Sequence, residues 1–346
     1  MEIGPGRRNL AIFGMATATA RFQPRSTVKL PFVLAASWAV LQPVWAETPD
    51  RVVRVITVSQ EGLAGPGLVD GTYARLDQAA SFGPDIACLP EEFTRGEPET
   101  VPGPNTDRAA RWARGHSCYV ICPLRVKADG RLYQSAVLID RRGRIAGRYD
   151  KIHPTEKALL AGTIPGDLDP PVFDTDFGRI GIQICFDLNW RQGWSRLKEK
   201  GAQIIFWPSA YAAAHQMPVL AFLNQCYVVT STMQSAPRIY DITGDLLAAG
   251  SNGRWWAAAA LPLGKRLFEV DYNAPKMALV ERKYGSRVWI TWLRDDDWIT
   301  LESLDPRLTV AAVMREFGLT PLSGYIARAE KAQDQRRTGA RPVSLP

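Results

Sequence analysis

The chain has 346 residues, 46% of them hydrophobic and 22% charged, which is enough apolar mass for a full buried core and excludes disorder and coiled coil. Of its formal charge of +7, residues 1–46 hold +4 (Arg7, Arg8, Arg21, Arg25 and Lys29 against Glu2), and the stretch from Lys331 to Arg341 is also basic. The body keeps no stripe of Lys and Arg interleaved with aromatics, so no nucleic-acid partner is expected.

Residues 30–46, LPFVLAASWAVLQPVWA, are apolar but too short and too proline-punctuated to span a bilayer. Arg21, Arg25 and Lys29 flank them, and Val44 and Ala46 stand at minus three and minus one of a cleavage before Glu47. That order is the order of a secretory signal. Arg7-Arg8 resembles a twin-arginine signal, and Met15 is an alternative start. The expectation is a targeting segment over 1–46 and export to the periplasm or medium, with a cytoplasmic location if the segment is instead a buried helix.

Beyond it, VVRVITV (52–58) reads as a first strand and Leu68 to Phe82 as an amphipathic helix. Asp85 to Leu89 is a short strand, followed by a helix from Thr106 to Arg114 and a strand from Cys118 to Ile121. Two hairpins turn at Asp129-Gly130 and Arg142-Gly143, with strands Gln134 to Ile139 and Arg144 to Tyr149. Gly178 to Ile184 is an apolar strand ending at Cys185. Helix Trp190 to Lys200, strand Ala202 to Trp207, helix Ala212 to Gln225 and strand Cys226 to Thr230 follow, then hairpins to Val270. This alternation indicates an α/β layered domain over 47–275. Residues 276–346 form an extension rich in Trp, Arg and Asp that ends in two helices, the second capped at Thr320-Pro321. It is expected to pack on the core or across a dimer.

Five cysteines (Cys88, Cys118, Cys122, Cys185 and Cys226) are too few and too odd in number for a disulfide framework. Cys118 and Cys122 share one strand face. With three His in all and no paired ligand spacing, no metal is expected.

Three segments place reactive groups at strand ends. GRIGIQICFDLNW puts Cys185 where a strand gives way to a helix, so that the turn exposes sulfur and nearby N–H groups can bind an oxyanion. CLPEEF puts Glu91 and Glu92 after a short strand and a proline. RYDKIHPTEK puts Lys151 beyond a third strand end, with Glu156 in the following loop. Each alone reads equally well as a buried thiol or a surface charge; together they suggest one crevice. Glu91 is preferred over Glu92 because it directly follows Pro90, and on a continuing strand the two would face opposite ways.

At these residues the chain resembles the nitrilase superfamily of carbon–nitrogen hydrolases. LPE (89–91), RYDKIHPTEK (148–157) and GIQICFDLNW (181–190) match that family's order, and GAQIIFWPSA (201–210), NQCYVV (224–229) and IYDITGDLLA (239–248) also look like family segments. The resemblance covers roughly residues 52 to 275. It implies a four-layer α-β-β-α sandwich, no cofactor, a small amide or carbamoyl substrate, and a homodimer or higher homo-oligomer. It also implies roles: Cys185 as nucleophile, Glu91 as general base, and Lys151 with the backbone N–H of Phe186 as oxyanion donors. Glu156 would orient Lys151 and the substrate.

Asp187 is expected to make structural bonds behind Cys185, and His153 to shape the site. Asn189, Trp190, Trp207 and Tyr211 are pocket candidates, with core packing equally open for the aromatics. Cys-Phe-Asp is the amidase and carbamoylase style, where nitrilases usually show Cys-Trp-Glu. Tyr133-Gln134-Ser135 replaces a common Tyr-Asn-Ser, and the turn near Pro237 is altered. The competing expectations are a true nitrilase, transfer of the acyl group to an amine, and a non-catalytic sandwich used for binding or assembly.

Overall fold

A computed structural model describes residues 50–251 and 253–339; the expected targeting segment 1–46 lies outside them. In chain order the sandwich comprises β1 (Val52–Val58), α1 (Leu68–Ala80), β2 (Ile86–Cys88), α2 (Pro104–His116), β3 (Tyr119–Ala128), β4 (Arg131–Ile139) and β5 (Ile145–Asp150). Next come α3 (Glu156–Leu160), β6 (Val172–Asp174), β7 (Arg179–Ile182), α4 (Arg191–Glu199), β8 (Ile204–Ser209) and α5 (Gln216–Asn224). Then follow β9 (Tyr227–Thr232), β10 (Arg238–Tyr240), β11 (Leu246–Ala249) and β12 (Trp256–Pro262).

Two six-stranded sheets result, ordered β12-β1-β2-β3-β4-β5 and β11-β10-β9-β8-β7-β6. β1 shows why the sequence builds layers. Val53 and Val55 face the other sheet, in one core with Ile182, Phe206 and Val229. Ile56 and Val58 face outward onto Leu76 of α1 and, across that layer, Trp112 of α2. A strand covered on both faces needs an apolar run rather than alternation. The second sheet mirrors this, with Ile205 and Val228 packed under Trp194 of α4 and Met217 of α5. The layers are thus α-β-β-α, as expected. At one rim the sheets are pinned together: Ser59 bridges Thr232, Thr57 Oγ1 donates to the Thr230 carbonyl at 2.7 Å, and Ser231 Oγ donates to Val58 and Cys88 carbonyls at 2.7 and 3.1 Å.

Several elements differ from the sequence reading. β3 runs on to Ala128 because β4 pairs with it along its length. Residues 156–160, read as loop, are a short helix whose N-cap Thr155 accepts from the Ala158 N–H. α5 starts at Gln216 rather than Ala212, after Ala213 takes a φ of 43°. β6 was not anticipated.

The C-terminal part also departs from two helices alone. β13 (Arg266–Glu269), α6 (Val270–Tyr284), β14 (Val288–Leu293), β15 (Trp298–Ser303), α7 (Val310–Phe317) and α8 (Leu322–Arg337) include a third sheet, ordered β13-β15-β14. It has its own core of Phe268, Met277, Val280, Ile299, Leu301 and Val313. The boundary expected at 275/276 therefore falls inside α6, and the third sheet begins at Arg266. This part does pack on the sandwich: Trp298 stacks on Phe222 of α5 at 4.3 Å, and Lys265 pairs with Asp241 at 2.5 Å. Pro321, not Thr320, occupies the cap of α8; Thr320 Oγ1 accepts from Arg328 instead. Among the described residues no helix is long and apolar enough to cross a membrane.

Candidate active site

Three strand exits meet at one rim. After β2, Leu89-Pro90 leads into a turn in which Glu92 adopts a φ of 40°. The turn, rather than strand alternation, separates the two glutamates. Glu91 goes inward and Glu92 stays partly exposed. After β5, Lys151 points its amine at Glu91: Nζ to Oε1 is 2.7 Å, with both side chains almost fully buried. The Gly166 N–H donates to the Lys151 carbonyl at 2.8 Å. A Cβ at Gly166 would stand 2.1 Å from the Asp150 carbonyl oxygen, so this approach demands glycine.

After β7, Gln183 still pairs with the Phe206 carbonyl of β8 at 3.0 Å. Cys185 then takes a φ of 44° and opens a 3-10 turn, Cys185–Asn189. A non-glycine residue in that region costs about 1–3 kcal/mol and persists only where its surroundings hold it. Asp187, wholly buried, does the holding. Its carboxylate accepts from the Ile184 N–H at 2.8 Å, Tyr149 Oη at 2.7 Å and the His153 N–H at 2.8 Å, with His153 Nδ1 at 3.1 Å. Gln183 Nε2 donates to Tyr149 Oη at 3.2 Å. One acid thus clasps the Lys151 segment to the Cys185 elbow.

The three groups sense one another. Burial raises the Glu91 carboxyl above its usual range, opposed by the charge and hydrogen bond of Lys151 and by a hydrogen bond from the Cys185 thiol. Burial acts against the Lys151 ammonium, but the negative charge of Glu91 and its hydrogen bond, with Cys185 adding to them once it ionises, outweigh it and raise the amine above its usual value. Burial, then the Glu91 charge, pushes the Cys185 thiol up to about 11, against the pull of Lys151, the Ala210 N–H and the Ser209 hydroxyl. At neutral pH the sulfur is therefore a thiol, and attack needs a base.

The remaining sequence candidates fall into two groups. Tyr211, 40% exposed, stands edge-on to Trp207 at 5.6 Å. Burial raises its hydroxyl pKa, followed by the charges of Cys185 and Glu91. Phe186 lies edge-on to Trp190 at 5.3 Å, and Trp190 stacks flat on His153 at 3.9 Å. As the second residue of its turn, Phe186 carries one of the N–H groups a helical turn leaves unpaired.

Two candidates lie away from the sulfur. Asn189 is exposed and donates to the Phe186 carbonyl at 3.0 Å. Glu156 is exposed in the first turn of α3 and makes no bond to Lys151. Pro154 and the Thr155 cap start a helix there, which carries the carboxylate outward.

Sequence reasoning passed over Ser209 and Ala210, whose hydroxyl and N–H reach the sulfur, and the role of Trp207, whose Nε1 donates to the Cys185 carbonyl at 3.0 Å. The same signal marked them: Trp-Pro-Ser-Ala is also an apolar strand's exit. Among the described residues no group of His, Cys, Asp and Glu could hold a metal ion.

The chain matches the family model described as carbon-nitrogen hydrolase over residues 34–261, a match that begins inside the segment read as an address. It is 32% identical over 201 residues to a nitrilase of Pyrococcus abyssi, covering 52% of this chain and 75% of that one. It is 29% identical over 188 residues to the beta-ureidopropionase of Arabidopsis thaliana, covering 46% of each. Thus it spans three quarters of the first relative's length but under half of the second's. Among solved structures, an amidase from Nesterenkonia sp. superposes with a TM-score of 0.53 at 16% identity over 68% of this chain and 97% of that one, a likeness of fold.

Proposed function

From the premise that the chain belongs to the carbon-nitrogen hydrolase family, we propose that it hydrolyses a small amide or N-carbamoyl compound through an acyl-thioester on Cys185. The observation that carries this reading is the buried Glu91–Lys151 pair, electrostatically coupled to the buried Cys185 thiol. Glu91 takes the thiol proton as sulfur adds to the substrate carbonyl. Lys151 Nζ and the Phe186 N–H stabilise the oxyanion, where each preorganised donor contributes about two to three orders of magnitude.

Collapse breaks the carbon–nitrogen bond, and Glu91 returns the proton to the leaving ammonia or amine. Water, deprotonated by Glu91, then adds to the thioester and releases the acid and the thiol. A general base has to reach the proton it takes, and the coupling of the Glu91 carboxyl to the Cys185 thiol supports that role. The beta-ureidopropionase relative supports the carbamoyl option, and Cys-Phe-Asp supports amides over nitriles.

A panel of aliphatic amides, ω-amides and N-carbamoyl amines, assayed for ammonia, tests the proposal. Turnover should vanish in Cys185→Ala, and undiminished release there ends the mechanism. The nitrilase of Pyrococcus abyssi favours one second reading, nitrile hydrolysis; acid formation from a nitrile panel, faster than from amides, would select it. We also propose export and a homodimer, the latter checked by light scattering at micromolar concentration.

A further inference from the structure

β5 pairs antiparallel with β4, Ser135 opposite Asp150, and the Lys151 N–H donates to the Gln134 carbonyl at 2.8 Å. Gln134 and Lys151 are therefore cross-strand partners, and such partners stand on the same face of a sheet about 5 Å apart. On the facing turn Glu91 and Glu92 are consecutive. The result is two adjacent rungs. Lys151 meets Glu91 on one; on the other, Gln134 Nε2 donates to Glu92 Oε1 at 2.8 Å.

The second rung is incomplete. Gln134 Oε1 is buried with no hydrogen-bond partner, and among the described residues no Lys, Arg or His pairs with Glu92. A carboxylate accepts about four hydrogen bonds, and Gln134 supplies one of them. A buried acceptor left open costs about 1–3 kcal/mol and calls for a donor. Here the open acceptor lies beside an uncompensated negative charge, one residue from the group read above as the general base. Glu92 is partly exposed, as a residue lining an opening must be.

We propose that Glu92 and Gln134 form a specificity subsite for a cationic, hydrogen-bond-donating group, an ammonium or amidinium, carried on an arm of the substrate. This rests on reading the rim as the site of amide hydrolysis. Gln134 stands where the resemblance leads one to expect the shorter Asn, and its longer amide donates to Glu92 at 2.8 Å.

The test is binding to the full chain carrying Cys185→Ala, read by isothermal titration. One probe pair is 4-aminobutyramide against butyramide, for the acyl arm. The other is N-(2-aminoethyl)acetamide against N-propylacetamide, for the amine arm. Succinamate supplies a negative arm. In one pair the cationic member should bind at least about tenfold more tightly than its neutral partner, the range of a charge-assisted hydrogen bond, and succinamate should bind most weakly. Adding Glu92→Gln should bring that pair within about threefold, because the charge is gone while the shape remains. Gln134→Asn should reduce the preference by a smaller factor. Equal affinities in both pairs, tighter binding of succinamate, or a preference that survives Glu92→Gln overturns the subsite. Binding is read in a chain without the sulfur, so this outcome is independent of ammonia release by the unaltered protein, which tests the reaction itself.

Discussion

The strands that build the reactive rim also build the opposite end of the sandwich. Ahead of β2 stands Asp85, and beyond its end Glu91; ahead of β7 stands Asp176, and beyond it Cys185; the hairpin of β4 and β5 carries Arg141 at its turn and leads out to Lys151. At the far end each nitrogen of Arg141 is engaged. Its Nε donates to Asp176 at 2.7 Å, Nη2 to Asp85 at 2.8 Å and Nη1 to the Ser117 carbonyl at 2.6 Å, and its guanidinium lies over the Tyr119 ring at 5.3 Å. Each nitrogen of that planar fork makes at least one of these bonds, so it clamps the two sheets.

At the near end Lys151 holds one carboxylate with one of its three donors, and Glu91 keeps acceptor capacity beside a thiol. The far-end pairs join the two sheets, whereas Lys151 and Glu91 both leave strands of the first sheet, and Cys185 leaves a strand of the second. The end whose hydrogen-bonding capacity is unfilled is the one equipped for chemistry.

Substitutions at the two ends should separate accordingly. The largest effect is expected from Cys185→Ala, which removes the proposed nucleophile. Amide turnover should fall by at least about four orders of magnitude, while thermal unfolding changes little. Glu91→Gln comes next, with a loss of roughly two to four orders in kcat/KM. The same substitution should act oppositely on alkylation. Without the Glu91 charge, Lys151 is left to pull the Cys185 thiol down from about 11, so the midpoint of iodoacetamide labelling moves to lower pH. A labelling midpoint that stays put or rises would show that the carboxylate does not sense the sulfur.

Arg141→Ala tests the far end. It strands Asp85 in a largely buried position, with Asp176 more exposed, and should lower stability by about 1–3 kcal/mol in denaturant titration. Activity per folded molecule should be kept, and a kcat loss at full folding would erase the contrast between the ends. The smallest effect is expected from Ser209→Ala, about tenfold in turnover. Its labelling midpoint should shift upward as the thiolate loses a donor, and Ser209→Thr should restore it.

The acid limb sharpens the picture further. Burial raises Glu91 above 4.5, so the carboxylate needed as base forms only at higher pH. The kcat/KM profile should therefore rise through a midpoint above 4.5 and lose that limb in Glu91→Gln.

Legibility in the sequence varied from residue to residue for physical reasons. Glu91, Lys151 and Cys185 each follow an apolar run at a point where a strand must end, and short motifs mark all three. Asp187 was read as a structural partner behind the cysteine; it is wholly buried and accepts from Ile184, Tyr149 and His153. Ser209 carries the same strand-exit signal but is an ordinary residue type, so nothing singled it out. Glu156 was misplaced because its neighbours, Pro154 and Thr155, start a helix that turns it outward. VWITWL (288–293) escaped as a strand because its tryptophans are half exposed at a sheet edge, so its alternation does not follow burial.

By itself the sequence determined the layering, because apolar runs of strand length between amphipathic helices have to be covered on both faces. It also determined which residue types stand at the strand exits. Only the tertiary structure decided that β2, β5 and β7 end at one rim and that Arg141 closes the other. It also decided that Glu92 turns to Gln134 while Glu91 turns to Lys151. Those pairings depend on sheet order and on single φ angles, as at Glu92 and Cys185, and neither is encoded in any local stretch of residue types.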